Sequence, residues 1–98
     1  MMEVVIQKSR RKDKKLDAVI DGKKTISFGA AGMSDFTLHK DIRQEAEVHR
    51  QAPEEWNLRD PKTAGFYSRF TLWNKPTLQA SVNDLNARYK NIIFILNK

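Results

Sequence analysis

The dipeptide Asp21–Gly22 lies between two short runs in which apolar and polar residues alternate. Leu16–Ile20 precedes it and Lys24–Phe28 follows it, and both runs have the period-two pattern of a half-buried strand. Asp-Gly is a strong signal for a two-residue hairpin, because both positions of that turn need a positive φ angle. Together with the β-prone run Met2–Gln7, this region predicts a three-stranded β-meander.

The next part of the chain has helical spacing. Asp41 is a suitable N-cap, and Gln44 stands three residues later, where a capping box has its second partner. A helix is therefore predicted from about Asp41 to Gln51, ending before Pro53, while Phe36 and Leu38 ahead of it are expected to be extended or irregular. The residues predicted to share the inner face of this helix are Ile42, Ala46 and His49.

Two further helices are predicted downstream. Thr63 can cap the first of them, and Pro76 is well placed in the first turn of the second. In the connection before them, Trp56 and Leu58 are expected to cover the core. The apolar stripes of the two helices are Phe66, Phe70 and Trp73, then Leu78, Val82, Leu85 and Tyr89.

The chain ends in a continuous apolar run, Ile92–Leu96, which is too short for a stable helix and therefore predicts a buried strand. Because both of its faces are apolar, we expect this strand at the centre of the sheet. The element order is then β-β-β-α-α-α-β. We predict a single α+β domain over residues 1–98, with a small mixed sheet of about four strands and three helices packed on one face.

The composition excludes several kinds of chemistry. The 98 residues include no cysteine, so disulfides, thiolate nucleophiles and cysteine-ligated zinc are all excluded. No apolar run approaches the roughly 20 residues that span a bilayer, and the charged residues after Ile6 make a secretory signal unexpected. We therefore expect no membrane partner.

Positive charge is concentrated in one segment. Residues 8–15 hold six of the 18 basic residues and one of the 12 acidic ones, so this segment carries +5 of the net +6. We predict contact with nucleic-acid phosphates or with an acidic protein surface; the alternative is a solvated loop that keeps the domain soluble. The segment has no aromatic residue for base stacking, so nucleic acid would be held by its backbone. The predicted contact residues are Lys8, Arg10, Arg11, Lys12, Lys14 and Lys15.

The candidates for catalysis are weak. A metal-dependent nuclease built on His39, Asp41 and His49 is a remote alternative, but their spacing matches no zinc pattern. The ordinary interpretation is that His39 bonds a backbone group at the helix entry and that His49 packs on an inner face. Gly29–Gly32 lacks the lysine and hydroxyl residue of a phosphate loop. We predict no catalytic residue, no metal and no cofactor.

The aromatic stripe of the second helix has two interpretations. Its spacing suits a core face, which is the commoner case, and it also suits a docking face flanked by cations. The weaker candidates for a protein interface are Arg69, Trp73 and Lys75.

A resemblance to a known family lies in two blocks of the sequence. They are Lys24–Asp41 and Lys62–Leu78, with His49–Arg50 and Trp56 between them. These residues resemble a family of small uncharacterised proteins from large double-stranded DNA viruses and bacteriophages. The resemblance spans roughly residues 24 to 89, and the Gly-Phe-Tyr-Ser-Arg and Leu-Trp-Asn-Lys-Pro blocks within it are specific. The family usually has Trp where this chain has Tyr67. The basic segment before residue 16 lies outside the shared part, and the family offers no catalytic residue to carry over.

The resemblance implies a viral protein located in the virion or in the host cytoplasm during infection. We expect a non-enzymatic, virion-associated structural or assembly component, such as a minor capsid, cement, connector or tail protein. Its partners would be other viral proteins, and it could form a homo-oligomer. The alternative is a nucleic-acid-binding accessory protein that uses the basic segment.

Overall fold

Strands at both ends of the chain form one mixed sheet in a computed structural model, which describes residues 2–33, 35–51 and 59–97. Within these residues the strands are β1 (Met2–Lys8), β2 (Lys14–Ile20), β3 (Lys24–Ala30) and β4 (Ile92–Leu96), in the spatial order β3-β2-β1-β4. The meander pairs antiparallel, and β4 pairs parallel with β1. The α+β fold with a four-stranded mixed sheet is therefore as predicted.

The turn after β2 has the predicted backbone geometry. Asp21 and Gly22 have φ angles of 52° and 68°, and the Lys23 N–H donates to the Ile20 carbonyl at 3.0 Å. The register pairs Ile20 with Lys24, so the loop is one residue longer than the two-residue turn that we predicted.

Four α-helices and one π-helix lie between β3 and β4 in the described part of the chain. They are α1 (Phe36–His39), α2 (Ile42–Gln51), α3 (Ala64–Tyr67), a π-helix (Ser68–Leu72) that continues α3, and α4 (Leu78–Arg88). The prediction of an irregular stretch at Phe36 and Leu38 was wrong, because Asp35 caps a helical turn there by accepting from the Thr37 N–H at 2.9 Å. Thr63 caps α3 as predicted. Thr77 caps α4, so Pro76 precedes the N-cap and does not lie in the first turn as predicted.

The core lies between one face of the sheet and α3, the π-helix and α4. Val4, Ile6 and Ala18 are fully buried on the sheet side, as the period-two pattern predicted. Phe66, Phe70 and Leu85 are buried on the helical side. Trp73 is partly buried and packs on the edge of the same core, so the aromatic stripe faces inward over most of its length.

Strand β4 lies at the edge of the sheet, so the prediction of a central position was wrong. Its outer side chains, Ile93 and Ile95, are 45% and 41% exposed. Asn86 of α4 covers part of the free edge: its side chain bonds both the N–H and the C=O of Phe94, at 2.9 Å each. A side-chain amide thus occupies the position where a neighbouring strand would pair.

Helix α2 packs less closely than its sequence predicted. None of its residues is buried, and Ile42 is 71% exposed. Ala46 is exposed too, so the predicted inner face is wrong at both positions, and of the three residues predicted for it only His49 is half-buried. Asp41 does cap the helix, accepting from the Arg43 N–H at 2.9 Å. Gln44 donates to the Asp41 carboxylate and not to its backbone, so the capping box is not formed as predicted. The predictions for Pro53, Trp56 and Leu58 concern residues outside the described part.

Candidate anion-binding groove

The basic segment forms one side of a shallow surface groove with a volume of about 480 Å³. The groove is lined by Ser9, Ala31, Leu38 and all six predicted contact residues, and we call it the basic groove. The predicted contact residues that it contains are Lys8, Arg10, Arg11, Lys12, Lys14 and Lys15. The turn between β1 and β2 therefore brings together on one surface the cations that the sequence clusters along the chain.

Asp17 of β2 holds the basic segment in place. Its carboxylate is 2% exposed and accepts from the hydroxyls of Ser9 and Ser27, at 2.6 Å each, and from the Arg10 N–H at 3.4 Å. Burial alone would raise the pKa of Asp17, but the hydrogen bonds from Ser27 and Ser9 outweigh it and keep the pKa below its ordinary value. The carboxylate therefore stays charged at neutral pH and fixes the entry of the basic segment.

Backbone hydrogen bonds complete the anchoring. The Ser9 N–H donates to the Lys15 carbonyl at 3.1 Å, which closes the loop across its base. The Ala31 N–H donates to the Asp13 carbonyl at 3.0 Å, which ties the tip of the loop to the end of β3. The Ser9 hydroxyl also accepts from the Arg11 N–H at 3.1 Å. The cations thus project from an ordered loop, which lowers the entropy cost of binding a partner.

Two of the six cations are paired within the protein. Arg11 makes a two-pronged contact with Asp13, at 3.1 and 2.8 Å, in an exposed position. Lys15 forms an ion pair with Asp35, whose side chain is 2% exposed. Lys15 therefore holds α1 to β2 and is less available to a partner than its place in the sequence suggested.

The other four cations have no ion pair among the described residues. Lys8, Arg10 and Lys12 are exposed, and Lys14 is half-buried. They supply the net positive charge of the basic groove, because the charge of Arg11 is balanced by Asp13 and that of Lys15 by Asp35.

The opposite side of the groove is apolar. Ala31 follows β3, and Leu38 lies in α1 with 65% of its surface exposed. The position of Leu38 follows from Asp35, which both caps α1 and pairs with Lys15. Met33, also 65% exposed, lies in the same stretch of chain.

The weaker interface candidates do not form a comparable surface. Arg69 lies over the Phe70 ring at 4.7 Å and is half-buried, and burial lowers its pKa. Trp73 packs partly into the core, with its ring 5.6 Å from that of His39. Lys75 is exposed, and its N–H donates to the Ser81 hydroxyl.

The residues of the nuclease alternative serve local structure. His39 accepts from the Asp41 N–H through Nδ1 at 2.8 Å, which is the helix-entry role expected for it. His49 contacts Glu45 at 2.7 Å and the Trp73 carbonyl through Nε2. Over residues 2–33, 35–51 and 59–97, no three histidine or acidic side chains gather in a way that could hold a metal ion.

Sequence reasoning missed Asp17, Asp35 and Leu38. Asp17 occupies an outward position in a strand with alternating pattern, where an acid is expected to be solvated. The serines that bury it stand eight residues before and ten after it, so only the strand register reveals the cluster. Asp35 had a usable signal, because Asp is one of the preferred N-cap residues of a helix.

A model of a family of unknown function (DUF5754) matches residues 4–51, which is just under half of the chain. The matched range runs from Val4 in β1 to the end of α2 and contains all the described residues that line the basic groove. No helix in the described part of the chain is long and apolar enough to cross a bilayer. No curated protein and no solved structure matches the chain. The chain is therefore similar, over its first half, to proteins whose function is not known.

Proposed function

We propose that this protein is a non-enzymatic binding protein that holds a polyanionic partner in the basic groove and serves as an assembly component of a virus particle. One observation carries the proposal: four cations that form no ion pair among the described residues lie together in the basic segment, and a buried carboxylate holds that segment in place. Lys8, Arg10, Lys12 and Lys14 lie together on one surface, and Asp17 fixes the backbone that presents them.

The order of the loop favours binding over a merely solubilising role. A solubilising segment needs exposed charge but no fixed conformation. Here the buried Asp17 holds the loop in place, and the hydrogen bonds that it accepts from Ser9 and Ser27 keep its carboxylate charged. An ordered array of like charges is unfavourable in the free protein and becomes favourable when an anion lies across it.

The viral setting rests on the resemblance of residues 24–89 alone. It is tested by mass spectrometry of purified particles of a virus whose genome encodes the chain. We expect the protein at a fixed ratio to the capsid proteins, and its absence from washed particles would remove the structural role.

A nucleic-acid-binding accessory protein is the second candidate, favoured by the exposed positions of Lys8, Arg10 and Lys12 on one loop. Backbone binding of this kind weakens with salt, with a slope set by the number of phosphates contacted. With four unpaired cations, we expect a slope of log Kd against log salt of about three to four for duplex DNA.

The groove itself is tested by neutralising Arg10, Lys12 and Lys14 to Gln in one variant. The control variant changes Lys23, Lys62 and Lys90 to Gln, which removes the same charge from exposed positions outside the groove. With polyglutamate and duplex DNA as probes, we expect the groove variant to lose at least tenfold in affinity and the control to lose less than threefold, since exposed charges more than about 10 Å away are screened. Equal losses would mean that only net charge matters, and the groove would be rejected.

A further inference from the structure

We infer that the partner in the basic groove is an acidic protein segment that carries an apolar side chain, and that this side chain packs on Leu38. The inference rests on the proposed function and names the partner of the same site. It follows from the different chemistry of the two sides of the groove.

One side of the groove is cationic and the other is apolar. The cationic side comes from the basic segment, where Arg10, Lys12 and Lys14 form no ion pair with another described residue. The apolar side comes from Ala31 and Leu38, on a different part of the chain. A ligand that fills the groove must therefore present negative charge toward one side and hydrocarbon toward the other.

The cations near the apolar side are already occupied. Lys15 pairs with Asp35 at the start of α1. Lys40, at the end of α1, donates to the carbonyls of Thr37 and Pro76 at 2.8 and 3.2 Å. The side of the groove that carries Leu38 therefore offers a partner little positive charge and mainly an aliphatic surface.

Leu38 is exposed on a helical turn that is capped at both ends. Asp35 caps α1 through the Thr37 N–H, and the αL conformation of Lys40, with φ 54°, closes the helical turn by an N–H bond to the Phe36 carbonyl. The backbone that carries Leu38 is already ordered, so covering the leucine costs only its rotamer freedom, about 0.5–1 kcal/mol, and its burial contributes the rest of its transfer free energy to binding.

These features fit an acidic peptide better than nucleic acid. Single-stranded nucleic acid is usually held by aromatic side chains on which bases stack, and none of the described residues that line the groove is aromatic. The backbone of a duplex consists of phosphates and sugars and carries no aliphatic side chain that could pack on Leu38. A glutamate-rich segment with one leucine would pair its carboxylates with the cations of the groove and pack its leucine on Leu38.

The test is a binding cycle with two peptides and two forms of the protein. One peptide is a short run of glutamates around a central leucine, and the other has serine in place of that leucine. The protein forms are the natural chain and Leu38→Ser, with Ile42→Ser as control, because Ile42 is equally exposed but does not line the groove. Circular dichroism checks that each variant is folded.

We expect the natural chain to prefer the leucine peptide by about tenfold, which corresponds to burial of part of one leucine. Leu38→Ser should abolish this preference without changing affinity for the serine peptide, and Ile42→Ser should keep it. An equal affinity of the natural chain for both peptides would overturn the inference. So would tighter binding to duplex DNA, or to vesicles of anionic lipid, than to the leucine peptide.

The groove variant with Arg10, Lys12 and Lys14 changed to Gln separates this inference from the proposed function. If it loses affinity for both peptides while the natural chain shows no leucine preference, the groove binds polyanions and only the partner class is wrong. If the natural chain binds neither peptide and no duplex DNA, both proposals fail.

Discussion

Replacing Asp17 by Ala should destabilise the protein and loosen the basic segment at the same time. The carboxylate is 2% exposed and accepts two hydroxyl hydrogen bonds of 2.6 Å, from Ser9 and Ser27. Hydrogen bonds to a charged group contribute roughly 1.5–3 kcal/mol each. Both serines are half-buried and regain part of their hydration in the variant, so the lower end applies, and we expect a loss of about 3 kcal/mol in the free energy of unfolding.

Urea denaturation followed by circular dichroism measures this loss. Asp13→Ala is the matched control, because it removes the same charge from the basic segment itself, where the carboxylate is exposed and pairs with Arg11. Its effect should be much smaller, since exposed ion pairs contribute little. Amide exchange gives a second readout: the Arg11 N–H donates to the Ser9 hydroxyl, and it should exchange faster in Asp17→Ala. A loss in Asp17→Ala no larger than that in Asp13→Ala would refute the anchoring role.

Three further predictions concern stability. Gly29→Ala should lower the free energy of unfolding by about 2 kcal/mol or more, because Gly29 has a φ of 77° and a Cβ there would lie 2.7 Å from Leu72 Cδ1. Gly32→Ala is the control: Gly32 has a φ of 87° but open space around it, so the loss should be about 1 kcal/mol. Equal losses in urea denaturation would exclude the contact with Leu72 as the cause. Asn86→Ala removes both hydrogen bonds to Phe94, so it should lower the free energy of unfolding by about 2 kcal/mol and promote self-association through β4, which sedimentation velocity measures. The control Asn83→Ala, on the exposed side of α4, should change stability by less than about 0.5 kcal/mol. An Asn86→Ala protein that is monomeric and as stable as the natural chain would contradict this prediction. The pKa of Asp17 is held below the ordinary value of 3.8, so its contribution to stability is fully present above about pH 4 and is lost as the pH falls through the lowered pKa. The free energy of unfolding should therefore decline in acid, and this decline should be less steep in Asp17→Asn.

Local patterns predicted the elements whose determinants lie within a few residues. The meander follows from period-two alternation and from the positive φ angles that Asp21 and Gly22 adopt readily. The α4 stripe and the cap at Thr63 are likewise local, and both were predicted. The four-residue helix α1 is too short to show periodicity, so only its cap at Asp35 could have indicated it.

Elements that depend on distant contacts were less predictable. The apolar run Ile92–Leu96 suggested burial on both faces, but its place in the sheet depends on pairing with β1 about 90 residues earlier, and that pairing puts it at an edge. The six cations of the basic segment were identifiable from charge alone. Their division into paired and unpaired groups was not, because Lys15 pairs with an acid 20 residues away. In the structure Lys15 pairs with Asp35 at the start of α1, so it is less available for the contact predicted for it.

The parallel pairing of β1 with β4 also bears on how the protein is made. On the ribosome the meander is synthesised first, and its hairpins can form as soon as residue 30 has left the exit tunnel. Its apolar face, however, stays open until α3 and α4 have followed, and the last strand can dock only after residue 96 is free. We therefore expect a nascent chain that exposes Val4, Ile6 and Phe28 until residue 96 has left the exit tunnel, and a slow docking of β4, as is typical where contacts are distant in sequence. We expect the protein to depend on chaperones during translation, because β1 and β4 pair although they lie about 90 residues apart in the sequence.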